Sequence, residues 1–352
     1  MTDAATIRRE TDRAMQAFQA AGADLFETGM LQPADTLLDL YGEDIRARAF
    51  VTLDPLRREM MLRPDFTVPV VQAHLASARG AAKYRYAGPV FRQQPDGSDR
   101  ALEYAQVGFE DFGAGDPAKA DAALFALFHG LLNPLGLTAA TGDIGLLRAA
   151  VGALETSDLR KAALMRHLWR PRRFRDLIDR YSKPVPVPNA ASDVDAPEIG
   201  LRSRAEVQDR LDRLEADAKT PPIPQEQADL IAALLAVKDT SDLALAQLRD
   251  LARNLPAIRD AVAGLAARLD AMADHGVAAE ALGFEASYGR TSMEYYDGFV
   301  FGFYAANRPD LPPVASGGRY DALTRALGGD TAPPATGGVI RPGLIAELGL
   351  AQ

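Results

Sequence analysis

The amino-acid sequence predicts an α+β fold: an antiparallel sheet flanked by helices, with a helical insert. Three observations carry that expectation. Two alternating runs, "KYRYAGPVFR" and "EYAQVGFEDFG", flank the polar loop "QQPDGSDR", the pattern of an antiparallel strand pair. Between about residues 150 and 280 the composition turns to alanine, leucine, arginine and aspartate with little β-branching, and strand-like sequence returns after it. There is no P-loop and no GxGxxG, so the usual marks of a nucleotide-binding parallel sheet are missing. The 352 residues leave room for roughly two domains or one large one. The order of elements favours one core across 1–352, interrupted by the insert at about 150–280.

Residues 4–22 make an amphipathic helix, with Ile7, Ala14, Met15, Phe18 and Ala21 at helical spacing and Gly22 placed to cap its end. A strand-like "DLFETGML" leads to Pro33 and a short helical "ADTLLDLYG". "RAFVTLDPLRREMMLRPDFTVPVV" holds two β-rich runs joined through the turn pair Asp54-Pro55, and after Pro64 "VPVVQAHLASARG" becomes helical. The strand pair follows, then a helix over 117–132. Two proline-rich loops, "KPVPVPNAASDVDAPE" and "KTPPIPQ", cut the insert. Strands return at "MEYYDGFVFGFYA" and "TGGVIRPGLI". "SGGRYDAL" reads as a tight turn before the helix "YDALTRALGG", although two glycines also permit close backbone packing.

Composition narrows the function. A net charge of −9 argues against a nucleic-acid binder. The absence of cysteine removes disulfides and thiolate chemistry. His74, His129, His167 and His275 lie far apart without metal-ligand spacing, so no metal site is expected. The N-terminus is polar rather than a signal peptide, and no apolar run suits a membrane span. A soluble cytoplasmic protein is expected. The basic run "RHLWRPRRFRDLIDR" fits a solvated helix face paired with local aspartates better than an RNA surface.

Candidate site residues are the polar ones inside strand-like runs. They are Asp65 and Thr67 in "RPDFT", Arg92 at the end of its strand, Gln106 and Glu110 in "QVGFE", and Glu294, Tyr295 and Tyr296 in "MEYYDG". Gln106 and Glu110 are four apart and share a strand face. A carboxylate and an amide side by side suit a small cationic or amine-bearing ligand, with hydroxyls of Tyr295, Tyr296 or Tyr320 completing a pocket. From spacing alone, the same residues also suit the solvent side of a half-exposed sheet.

"LRPDFT", "YRYAGPVFRQQ", "EYAQVGFEDFG", "EYYDGFVF", "SGGRYDAL" and "ATGGVIRPG" occur in the order found in the class II histidyl-tRNA synthetase core. The chain most resembles the non-catalytic members of that family, the regulatory subunits of ATP phosphoribosyltransferase. The matching blocks span about 60–113 and 284–344. The resemblance implies a class II aminoacyl-tRNA synthetase-like core with a six- or seven-stranded antiparallel sheet, dimerising around Pro33. It places Arg92 at the amino-acid carboxylate and the ATP α-phosphate. Asp65, Thr67 and Gln106 fall at the α-amino group of histidine, and Glu110, Tyr296 and Tyr320 around the imidazole.

The departures from the synthetase pattern imply the function. Thr291 stands where the synthetases carry a histidine-specific arginine, Leu344 where an arginine meets the γ-phosphate, and Leu102 at a second basic position, while Arg100 is kept. Arg341-Pro342 replace small and apolar residues. Three missing cations imply crippled adenylate formation, and eight residues after Leu344 leave no room for an anticodon-binding domain. The resemblance thus implies no catalytic residues and no cofactor. It implies a regulatory subunit that activates a separate short-form ATP phosphoribosyltransferase, and confers feedback inhibition by L-histidine, in the first step of histidine biosynthesis. An active histidyl-tRNA synthetase and a synthetase-like paralogue of other specificity are the alternatives.

Overall fold

The computed structural model describes residues 4–34, 48–184, 203–290 and 295–351, apart from 78, 95 and 99. The expected helix "ADTLLDLYG" beyond Ala34, most of the first proline-rich loop, Thr291 and Glu294 lie outside the described residues.

Helix α1 (Ala4–Ala20) buries Ala14 and Phe18 and ends before Gly22, whose φ of +87° suits glycine. Strands β1 (Asp24–Leu25) and β2 (Leu31–Pro33) follow, so the expected single run "DLFETGML" divides between two sheets. β3 (Val51–Leu53) and β4 (Glu59–Leu62) form a hairpin through the Asp54-Pro55 turn. There Asp54 Oδ1 accepts from the backbone N–H groups of Leu56 and Arg58. Helix α2 (Thr67–Ala76) leads into β5 (Ala82–Phe91) and β6 (Glu103–Phe112), antiparallel along their whole length. Helix α3 (Pro117–Leu132) starts at Pro117, with the Asp116 carboxylate capping the N–H groups of Ala118 and Lys119.

β7 (Thr138–Asp143) precedes the insert helices. These are α4 (Ile144–Gly152), α5 (Asp158–Arg166), α6 (Pro171–Tyr181), α7 (Arg204–Lys219), α8 (Gln225–Ala236), α9 (Ser241–Asn254) and α10 (Arg259–Asp274). The insert is not purely helical. It supplies β8 (Lys238–Thr240), which pairs with β9 (Gly283–Glu285) at the sheet edge. Then come β10 (Phe299–Tyr304), β11 (Ala315–Arg319), α11 (Asp321–Gly328), β12 (Ala335–Ile340) and α12 (Pro342–Glu347).

The main sheet has nine described strands in the order β1-β5-β6-β12-β11-β10-β7-β9-β8. The six central strands are antiparallel, as expected; β1 on β5 and β9 on β7 run parallel, making the whole sheet mixed and larger than anticipated. β2-β4-β3 form a separate three-stranded sheet.

One sheet face is the apolar core. Phe109, Phe301 and Phe303 meet Phe18 of α1 and Phe125 and Phe128 of α3. Beside it, Arg268 of α10 bonds Asp121 (3.2 Å) and Asp143 (2.7 Å), and Arg319 of β11 bonds Asp121 (2.7 Å), all buried. This network ties the insert to the sheet. "SGGRYDAL" is therefore no tight turn: its first half is β11. A Cβ at Gly317 would strike the Phe301 ring and Gly337 O, so the glycines serve close strand packing.

A second expectation holds only in part. The arginines at 166, 172, 173 and 175 are exposed, but no ion pair joins them to Asp176 or Asp179 among the described residues. On α6 the aspartates sit among five arginines between 170 and 180, too few to pair each one.

Candidate functional site

The other face of the sheet is built for a polar pocket. The register sets Tyr84 against Glu110, Tyr86 against Gly108 and Gly88 against Gln106. On β12, Gly337 lies opposite Glu110, and on β11, Gly318 lies opposite Gly337. Side chains on this face stand where glycine leaves room. A Cβ at Gly337 would collide with the Glu110 carboxylate, one at Gly108 with the Tyr86 ring, one at Gly318 with Tyr296, and one at Gly302 with the Tyr288 hydroxyl.

The Glu110 carboxylate is the centre. Thr67 Oγ1 (2.9 Å) and the Tyr86 hydroxyl (2.9 Å) donate to Oε1, and the Tyr320 hydroxyl donates to Oε2 at 2.6 Å. Burial is the main influence on its acidity and pushes it up to about 8, against the opposing pull of the three hydroxyls. Burial, followed by the charge of Glu110, raises the Tyr320 and Tyr86 hydroxyls well above their ordinary range, so they remain donors. Tyr295 Oη sits 3.5 Å from Thr67 Oγ1, and its ring is edge-on to Tyr320.

At the next level along β6, Gln106 is buried and its Oε1 accepts no hydrogen bond. Asp65 is also buried just before α2. Arg92, at the end of β5, donates through Nε to Pro64 O (2.8 Å), and its Nη2 is 3.9 Å from Asp65 Oδ2. The strand-end arginine therefore faces an acidic side chain of its own chain. Tyr296 is buried and packs on Gly318; it makes no hydrogen bond to Glu110.

The structure thus brings Asp65, Thr67, Gln106, Glu110, Tyr295, Tyr296 and Tyr320 onto one face, with Arg92 at its rim. The solvent-facing reading is wrong, because α2 and the segment before β10 cover this face. Tyr86 was missed in the sequence. Its signal was available: it alternates with Tyr84 opposite a glycine, the arrangement that lets a ring lie flat on a sheet.

Leu102 is exposed beyond the rim, and Arg100 donates to Asp310 O at 2.9 Å. Among the described residues no cluster of three His, Asp or Glu side chains is placed to hold a metal, and no helix is long and apolar enough to cross a membrane.

Comparison with known proteins agrees with this geometry. A family model described as histidyl-tRNA synthetase matches residues 2–178 and 196–342. Proteins named ATP phosphoribosyltransferase regulatory subunit are 32% identical to this chain: that of Brucella ovis over 90% of this chain and 91% of its own, and that of Brucella abortus over 90% of each. Among solved structures, one described as an ATP phosphoribosyltransferase regulatory subunit/histidyl-tRNA synthetase, from Bacillus halodurans, superposes with a TM-score of 0.72 at 21% identity, covering 99% of this chain and 79% of that one. The histidyl-tRNA synthetase from Nostoc sp. PCC 7120 gives 0.65 at 16% identity, covering 98% and 73%. These two likenesses establish the class II synthetase-like fold. The matched family and the identity along nearly the whole length of both chains together show that this chain belongs to the histidyl-tRNA synthetase-like family of ATP phosphoribosyltransferase regulatory subunits.

Proposed function

We infer that this chain is the regulatory subunit of a short-form ATP phosphoribosyltransferase, acting in the first step of L-histidine biosynthesis. It activates a separate catalytic polypeptide and makes that enzyme sensitive to histidine. The observation that carries the reading is the 32% identity to regulatory subunits over 90% of the chain. The pocket supports histidine as the ligand: an amine fits Asp65, Thr67 and Gln106, a carboxylate fits Arg92, and an imidazole fits the hydroxyls gathered on Glu110 with Tyr295, Tyr296 and Tyr320 around them.

The chain works by binding rather than by catalysis, in the cytoplasm and without a cofactor. By the resemblance to the synthetases, apolar Leu102 and Leu344 fall at positions where a transferring phosphate needs positive charge. Self-association has support too. Met30, Leu31, Val51, Leu53 and Leu56, on or beside the small sheet that holds Pro33, are all exposed, Leu53 by 61% and Leu56 by 74%. An apolar patch of this kind is the mark of an interface. The test is histidine-dependent pyrophosphate exchange with ATP. The reading expects none; exchange at the rate of a synthetase would favour the histidyl-tRNA synthetase alternative instead.

A further inference from the structure

The pocket holds a second arginine, Arg341. It lies one residue beyond the Ile340–Val107 pair, which brings it level with Gln106. Gly337 and Val339 alternate along β12, and Arg341, the residue just after the strand, continues that alternation with φ −111° and ψ 88°, so it projects from the face that carries Glu110 and Gln106. Its guanidinium is fixed by two neutral oxygens, Pro313 O at 2.7 Å from Nη1 and Ser316 Oγ at 3.2 Å from Nη2. No carboxylate pairs with it among the described residues. Its proton affinity is lowered, first by burial; Arg92 adds to the lowering, and Tyr104, Tyr296 and Tyr288 act against it.

A guanidinium half removed from water, with no counter-ion among the described residues, is costly. Here it is held in one orientation by neutral acceptors, which position it without neutralising it. At the same level Gln106 offers a buried acceptor, Oε1, that receives no donor. Among the described residues the site thus presents a cation without a carboxylate partner and an unfilled acceptor at the same level. Glu110 does not redress the balance, because its carboxyl is pushed up to about 8 and its oxygens are taken by Thr67, Tyr86 and Tyr320.

We propose that Arg341 joins Arg92 in binding the carboxylate of a zwitterionic α-amino acid whose ammonium group is received by Gln106. This rests on the reading of the pocket as a histidine site, and it adds a specificity residue to it. A ligand without a carboxylate leaves the Arg341 charge unmatched. A ligand larger than an amino acid at that end meets the guanidinium and the Tyr288–Tyr304 hydroxyl pair, 2.9 Å apart.

The test is calorimetry on the full chain with two ligands, L-histidine and L-histidinol, in which CH2OH replaces the carboxylate. Arg341→Gln is expected to weaken L-histidine by about tenfold to a hundredfold, the range of a charge-assisted contact, and to leave histidinol unchanged. Unchanged histidinol binding also shows that the variant is folded. Arg341→Lys, which keeps a cation, should recover part of the L-histidine affinity. Equal affinity of wild type and Arg341→Gln for L-histidine, or an equal loss for both ligands, overturns the assignment of Arg341 while the histidine pocket stands. Failure of the wild-type chain to bind L-histidine overturns both.

Discussion

The Tyr320 hydroxyl donates to Glu110 Oε2 across 2.6 Å, joining β6 to the residue that follows β11. This bond, with those from Thr67 and Tyr86, keeps a buried acid in place with no ion pair to a cation among the described residues. The acid is raised to about 8, and burial is the principal cause.

A pH dependence follows. The folded state keeps the Glu110 proton over the range from the ordinary value of 4.5 to about 8, where the unfolded chain has released it. Stability therefore falls as pH rises through that window, with a slope of at most about 1.4 kcal/mol per pH unit from this group. Urea unfolding at pH 5.5 and 8 should show the decline, and Glu110→Gln should flatten it. An identical pH slope in the variant would contradict the assignment.

The same cluster should matter for ligand binding. Glu110→Ala frees the hydroxyls of Thr67, Tyr86 and Tyr320 from their common acceptor, and L-histidine affinity is expected to drop roughly tenfold or more. Titration calorimetry giving equal affinities would refute placement of the imidazole at this end of the pocket.

The buried network gives a stability prediction. Asp121 receives both Arg268 and Arg319, so Asp121→Ala takes one carboxylate from each of two buried cations, leaving Arg268 with Asp143 and Arg319 with Asp321. The expected cost is about 3–5 kcal/mol, measured by chemical denaturation. A loss below about 1 kcal/mol would mean that water reaches the site and the network does not clamp the insert to the sheet.

The exposed side chains of the small sheet give another. Val51→Asp combined with Leu53→Asp puts two charges on β3 where an interface is proposed. Light scattering should show a dimer for the wild-type chain and a monomer for the variant, with the far-ultraviolet circular dichroism unchanged. A variant that remains dimeric would move the interface elsewhere.

Much of this was legible in the sequence, for identifiable reasons. The β5–β6 pair alternates over ten residues on each strand, and that length fixes both register and face. Polar residues inside those runs marked the pocket. What they could not reveal was its cover: Asp65 and Gln106 look the same on a solvated sheet until α2 lies over them. β11 was hidden because Gly317-Gly318 is a turn signal locally, whereas here the pair is required by neighbours distant in sequence, Phe301 and Gly337. β8 and β9 have three residues each and exist through pairing at the sheet edge, not through propensity. Arg341 is visible as a departure, but its partners are not: Ser316 lies in β11, whose glycines locally signal a turn, and Pro313 in the segment just before it.

The central claim is that the chain controls a partner enzyme, which it can do only through differential affinity for that enzyme's states. The direct measurement is phosphoribosyl-ATP formation by a purified short-form ATP phosphoribosyltransferase, with and without this chain and with and without L-histidine, accompanied by gel filtration of the mixture. The account predicts co-elution with even stoichiometry, as pairing of two-fold dimers requires. It also predicts faster turnover in the complex and stronger inhibition by histidine there than in the isolated enzyme, with substrate and histidine weakening one another's binding by the same factor. Separate elution, with turnover and inhibition unchanged by the added chain, would contradict it.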